Sequence, residues 1–179
     1  MSRTVHIIGN GDLATLYRPA KGLKLICNLP PFEIDPSEVF GTCMVDFKMM
    51  KAIEEGSVIV PGEWVLGARP KKYMEMHSNM HMKYAQQIKG FYLTLPKYVK
   101  NYTDFNCGHM ATHYAANKLQ ADEIHMYGFD SIFDMNLRSS TDFYLNSDRQ
   151  PTNNVRLSDN WRPVWQNMFK EFSGKQFIL

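Results

Sequence analysis

Three short apolar runs in this chain end in residues suited to holding a polar ligand. Thr4 to Ile8 runs into Gly9-Asn10-Gly11, Leu23 to Cys27 into Asn28, and Glu123 to Tyr127 into Gly128-Phe129-Asp130. Glycine lets the backbone approach a ligand closely and adopt positive φ. The asparagine side chain offers paired donors and acceptors that match ribose hydroxyls, phosphate oxygens or base edges. A fourth group, Asn106-Cys107-Gly108, opens an Ala-rich helix over 110–119. The free N–H groups and positive dipole end of such a helix suit a phosphate. Cys107 at that point is either a thiol activated by the helix start or an inert one beside a helix cap. Gly-Asn-Gly alone is equally a tight turn.

Other side chains extend the list. Asp46 follows a short strand and is a candidate base or metal carboxylate, or simply the cap of the next helix. His77/His81 and His109/His113 stand four apart, a spacing that places two imidazoles on one helix face. Neither pair has the glutamate of a zinc-protease helix, and no third ligand accompanies them, so no metal site is expected. His109, one turn into its helix, is a candidate acid or base. His6 and His125 alternate within strands and read as structural. The segment 131–165 carries Arg138, Arg149, Arg156 and Arg162, and arginine clamps phosphate bidentately. Trp161, between Arg156 and Arg162, offers a face for base stacking. These arginines fit a solvated loop as well.

The elements that position these groups follow from periodicity and turn residues. Strands are expected over 4–8, 23–27, 43–45, 57–60, 64–66, 91–95, 123–127 and 177–179. Helices are expected over 47–55, 71–89, 110–119 and 161–172, with a short one after Asp12. Short, solidly apolar strands alternating with helices predict a parallel sheet covered on both faces. The fold class is α/β: one Rossmann-like domain, residues 1–179, with a mostly parallel sheet. In such sheets ligands bind beyond the carboxyl ends of the strands, where strand order reverses. Residues 131–160 are long for a structureless loop and are expected to form an active-site loop or lid.

Composition narrows the function classes. The chain has 179 residues, enough for a core without staples, with 44% hydrophobic and 21% charged residues. A net charge of +2 gives no nucleic-acid footprint. The three cysteines, Cys27, Cys43 and Cys107, form no Cys-x-x-Cys pair and suggest reduced thiols in a cytoplasmic protein. No signal-peptide pattern opens the sequence, and no stretch approaches the ~20 apolar residues of a membrane span. Twelve methionines, many between Met44 and Met82, imply a soft core or a surface for self-association into a homo-oligomer.

The ordered set V-H-I-I-G-N-G-D-L, L-I-C-N-L-P-P-F and N-C-G-H-M-A-T-H-Y-A-A-N-K-L-Q-A-D-E-I-H-M-Y-G-F-D resembles the lipooligosaccharide sialyltransferases of mucosal bacteria. More loosely it is similar to motility-associated glycosyltransferase-like proteins and archaeal hydroxymethylpterin pyrophosphokinases. The resemblance spans residues 4–28 and 105–130, roughly a third of the chain. It implies that Asn10, Gly11 and Asn28 contact a nucleotide-sugar, a cytidine monophosphate sugar in the sialyltransferases. It places Asn106, Cys107 and Gly108 near the donor sugar and phosphate, and Asp130 at the head of the active-site loop. The chain departs from that family too. Ser131, Ile132 and Phe133 stand where two tyrosines are expected, and no histidine follows His125 to act as base.

The expectation is a glycosyltransferase-like protein that binds a nucleotide-activated sugar and transfers the sugar to an acceptor hydroxyl. Asp130, His109 and Asp46 are the candidate catalytic residues. Gly9, Asn10, Gly11, Asn28, Asn106, Cys107, Gly108, Arg156, Trp161 and Arg162 are the candidate nucleotide contacts. The resemblance implies no essential metal. One alternative is a non-catalytic nucleotide-binding or sequestering protein, of the kind phages encode. Another is magnesium-dependent pyrophosphoryl transfer, with Asp46 or Asp130 holding the ion.

Overall fold

The computed structural model describes residues 3–10, 12–18, 20–30, 32–129 and 151–179, and only the backbone of Asp12, Leu13, Thr103 and residues 151–160. Seven strands form one sheet: β1 (Thr4–Ile8), β2 (Leu23–Cys27), β3 (Gly41–Met44), β4 (Trp64–Leu66), β5 (Ile88–Phe91), β6 (Glu123–Tyr127) and β7 (Gln176–Ile178). Their order is β5-β4-β3-β2-β1-β6-β7, and every pair is parallel. The chain builds outward from β1 to β5, then returns to the other side of β1 with β6. Strand order therefore reverses between β1 and β6, the place where an open α/β sheet leaves a crevice. This is the expected α/β Rossmann-like architecture.

Alternation along the strands sends side chains into two cores. Val5 and Ile7 of β1, Leu25 and Cys27 of β2, and Cys43 of β3 face α4 (Cys107–His113) and α5 (Pro151–Glu171). Ala111, Ala115 and Ala116 bring α4 close enough to pack on β1, β2 and β3. On the other face Met44, Trp64 and Leu66 meet α1 (Phe47–Glu54), α2 (Ala68–Met76) and α3 (Ser78–Lys83). Met49, Met50, Met74 and Met80 are buried there, so most of the central methionines fill core; Met76 and Met82 are exposed. Beside them Ile8 and Ile26 pack on Ala14 and Tyr17 of the short turn after β1.

His6 and His125 are structural, as expected. They stack at 4.7 Å across the β1–β6 pair, and His6 is bonded to Tyr127 Oη and the Lys21 carbonyl.

Several expected elements differ. The helix over 71–89 is two short helices broken at His77, whose backbone leaves the helical region (φ −129°, ψ 69°). Its imidazole pairs with Glu54 at 3.1 Å and stacks on Tyr73 at 4.0 Å. Residues 57–60 are not a strand, because the Val60 carbonyl is taken by the Trp64 indole and the Gln87 amide. β5 starts at Ile88, not Phe91, and α4 starts at Cys107 and widens to a π-turn over Tyr114–Lys118. The last helix begins at Pro151, inside the expected loop 131–160, and residues 131–150 lie outside the described residues. No described helix is long and apolar enough to cross a membrane.

Trp64 is the largest fully buried side chain among the described residues and belongs to the core cluster shared with α1, α2 and α3. Trp64→Ala is expected to cost about 3–5 kcal/mol, the range for truncating a buried aromatic, measured as a lower midpoint in urea unfolding.

Candidate functional site

The carboxyl ends of β6, β1, β2, β3 and β4 form one continuous row. At the reversal point the Gly9 N–H donates to the Tyr127 carbonyl at 2.7 Å. A Cβ on Gly9 would lie 2.9 Å from the Gly128 oxygen and 3.1 Å from that of Tyr127, both backbone atoms. Glycine at position 9 is thus required for the two strand ends to meet, which is a packing role.

Asn10 and Asn28 do meet, although eighteen positions apart in sequence. Asn10 Nδ2 donates to the Leu29 carbonyl at 2.6 Å, and Asn28 Nδ2 reaches toward Asn10 Oδ1 at 3.4 Å. A carbonyl only accepts, so Asn10 must turn its NH2 to Leu29 and its oxygen to Asn28. Asn28 must then present its NH2, which leaves its own Oδ1 buried and without a partner among the described residues. The Asn28 backbone is left-handed (φ 60°), and its N–H is tied to the Cys43 carbonyl at 2.9 Å. A buried acceptor with no donor costs about 1–3 kcal/mol, so this position invites a donor.

The start of α4 is more committed to structure than its sequence suggests. Asn106 caps the helix: its Oδ1 accepts from the His109 N–H at 2.9 Å, and its own N–H donates to His109 Nδ1 at 3.0 Å. This reciprocal cap leaves the Asn106 oxygen engaged. The Cys107 thiol donates to the Cys43 carbonyl at 2.8 Å. Burial pushes that thiol well up, and Cys27, Cys43 and Asp46 nearby raise it further, so it stays protonated. The Phe129 ring covers Gly108, where a Cβ would run into it.

His109 is completely buried, parallel to Phe105 at 5.7 Å and against Trp165 at 4.5 Å. Burial drives its imidazole down to about 3, with the Trp161 backbone carbonyl opposing weakly. It is therefore neutral at ordinary pH and closed to solvent. His113, one turn on, bonds Tyr92 Oη through Nδ1 at 2.6 Å. Its Nε2 lies 3.3 Å from Glu171, without the alignment of a hydrogen bond. The two imidazoles are engaged separately and do not converge.

Asp46 occupies the cap position of α1 with an extended backbone, yet its carboxylate makes no capping bond. It pairs instead with Arg69 of α2 at 3.1 Å. Arg69 stands with Gly67, Tyr92, Tyr102 and Phe105 around a shallow, solvent-open cleft beyond the ends of β3, β4 and β5. A cation beside Asp46 makes it a poor metal ligand, and no group of three His, Cys, Asp or Glu among the described residues could hold an ion. Arg162 and Trp161 are half-buried on α5, and Arg156 lies on the same helix with its side chain undescribed. Gly11 and Asp130 lie outside the described residues.

Arg69, Gly67 and Tyr92 were not among the candidate residues. The signal was present: Trp64-Val65-Leu66 ends at Gly67 as β1 ends at Gly9. No family model, curated protein or solved structure matches the chain.

Two outcomes are expected here. The depressed His109 binds no proton when folded but takes one when unfolded below about pH 6.5. Stability is then fully present above that pH and lost as pH falls toward 3, at about 1.4 kcal/mol per unit for this histidine. Burial lowers His6 and His113 as well and adds in the same direction. His109→Gln, which can keep the cap, should flatten the slope of urea stability against pH by about one proton. The buried Cys107 thiol should resist iodoacetamide in the native protein and react once the chain is unfolded, as read by mass spectrometry.

Proposed function

We propose that this chain binds a nucleotide-activated sugar along the carboxyl edge of its sheet and transfers the sugar to an acceptor hydroxyl, in the manner of the sialyltransferases it resembles. The observation that carries this reading is the Asn10–Asn28 pair beside the strand-order reversal. A buried Oδ1 there awaits a donor such as a ribose or sugar hydroxyl or an exocyclic amine. The leaving nucleotide's charge would fall to arginines, with Arg162 and Arg156 on α5 as candidates.

A second reading, binding without transfer, is favoured by a specific observation. His109 is neutral and sealed, and Cys107 is protonated and bonded, so neither supplies a base. Under the transfer reading the base is Asp46 or Asp130.

Thermal stabilisation by a panel of nucleotides and nucleotide-sugars, with and without magnesium, tests both. A ligand at 100 times its Kd should add roughly 2.7 kcal/mol of stability. Asn28→Gly, which accepts the left-handed backbone, and Asn10→Ala should each abolish the shift while leaving the fold intact. Release of free nucleotide in the presence of a sugar acceptor would favour transfer, and a shift without turnover would favour binding alone. No shift with any nucleotide would sink the assignment.

A further inference from the structure

Arg69 lies in the first turn of α2 with only 26% of its side chain exposed, and Asp46 at 32% is its partner among the described residues. A guanidinium carries five donors in a fork shaped for an oxyanion, and one carboxylate oxygen at 3.1 Å leaves most of them unused. Asp46 for its part forgoes the helix cap its backbone is set up to make. The floor under the pair is tight: a Cβ at Gly67 would meet Val45 at 3.1 Å and Met110 at 3.2 Å. Arg69, Tyr92, Thr94 and Tyr102 line the same shallow, solvent-open cleft.

We propose that this cleft is an oxyanion site, in which the carboxylate or phosphate of a ligand takes the Arg69 fork in place of Asp46. Asp46 engages the guanidinium through one oxygen, so an anion that takes two of its N–H groups can displace it. The cleft lies beyond the ends of β3, β4 and β5, on the same carboxyl edge of the sheet as the asparagine pair at the ends of β1 and β2. The oxyanion site does not rest on the proposed function.

The test is calorimetric titration of the full chain with inorganic phosphate, with glucuronate and with uncharged glucose. Saturable binding of phosphate or glucuronate, but not glucose, is expected. Arg69→Gln should weaken it at least tenfold, Asp46→Asn should tighten it several-fold, and Lys97→Gln, an exposed charge elsewhere, should leave it unchanged. A preference for phosphate assigns the site to the nucleotide's phosphate, and a preference for glucuronate assigns it to an acidic sugar. Absence of saturable binding by the folded protein overturns the proposal. So does Asp46→Asn weakening it, as a purely structural ion pair requires. If Arg69→Gln does not fold, Asp46→Asn decides. Parallel titration with uncharged nucleosides separates the two readings: lost nucleoside binding with retained anion binding overturns only the nucleotide reading.

Discussion

The seam between β1 and β6 is the constraint on which the rest of the edge depends. Two strands that are 115 or more residues apart in the chain are brought into register from Thr4↔Glu123 to Ile8↔Tyr127. Their carboxyl ends then close on one another through the Gly9 N–H and the Tyr127 carbonyl. Any side chain at position 9 would strike backbone oxygen, which cannot move without opening the sheet. Because the seam is where the winding direction changes, everything after it on β1 and β2 is turned toward one crevice. Asn10 and Asn28 meet there for that reason and no local one.

A second organising feature is the placement of α4. Its alanines let it lie low across β1, β2 and β3, so its first turn comes down onto the strand ends. The groups at that turn are consequently dehydrated. Removing an imidazole from water disfavours its cation, and removing a thiol from water disfavours its anion. His109 and Cys107 are thus held in their neutral forms, each with its hydrogen-bonding role directed inward to Asn106 and to Cys43. Residue types that carry chemistry elsewhere serve here as a helix cap and a strand tie. Groups left with open valences lie to either side, at the Asn28 oxygen and at the Arg69 fork.

Burial separates the titratable groups by depth. The stacked His6 and His125 sit under the opposite face, where one is bonded to Lys21 and Tyr127 and the other to Glu123. His113 is sandwiched between Tyr92 and Glu171. Asp46 and Arg69 form a part-exposed ion pair at the carboxyl edge.

Much of the architecture was legible in the amino-acid order. The apolar runs at 4–8, 23–27, 64–66 and 123–127, the glycines or asparagine that stop them and the alanines of α4 are local signals, and local signals specify strands, turns and a close-packing helix face. Parallel pairing followed, because strands apolar throughout must be covered on both sides. The break at His77 and the early starts of β5 and α5 were not legible, since each depends on partners distant in sequence, such as Glu54 for His77. The same limit applied to the site. Sequence determined that asparagines, glycines and a cysteine would stand at strand ends and at a helix start. Only tertiary structure decided which of them are spent, because spending a donor or acceptor requires a neighbour. Asn106 is consumed by its cap and Cys107 by a carbonyl. Asn28 keeps one acceptor open because Leu29 holds Asn10, and Arg69 becomes a site residue because β4 ends beside Asp46.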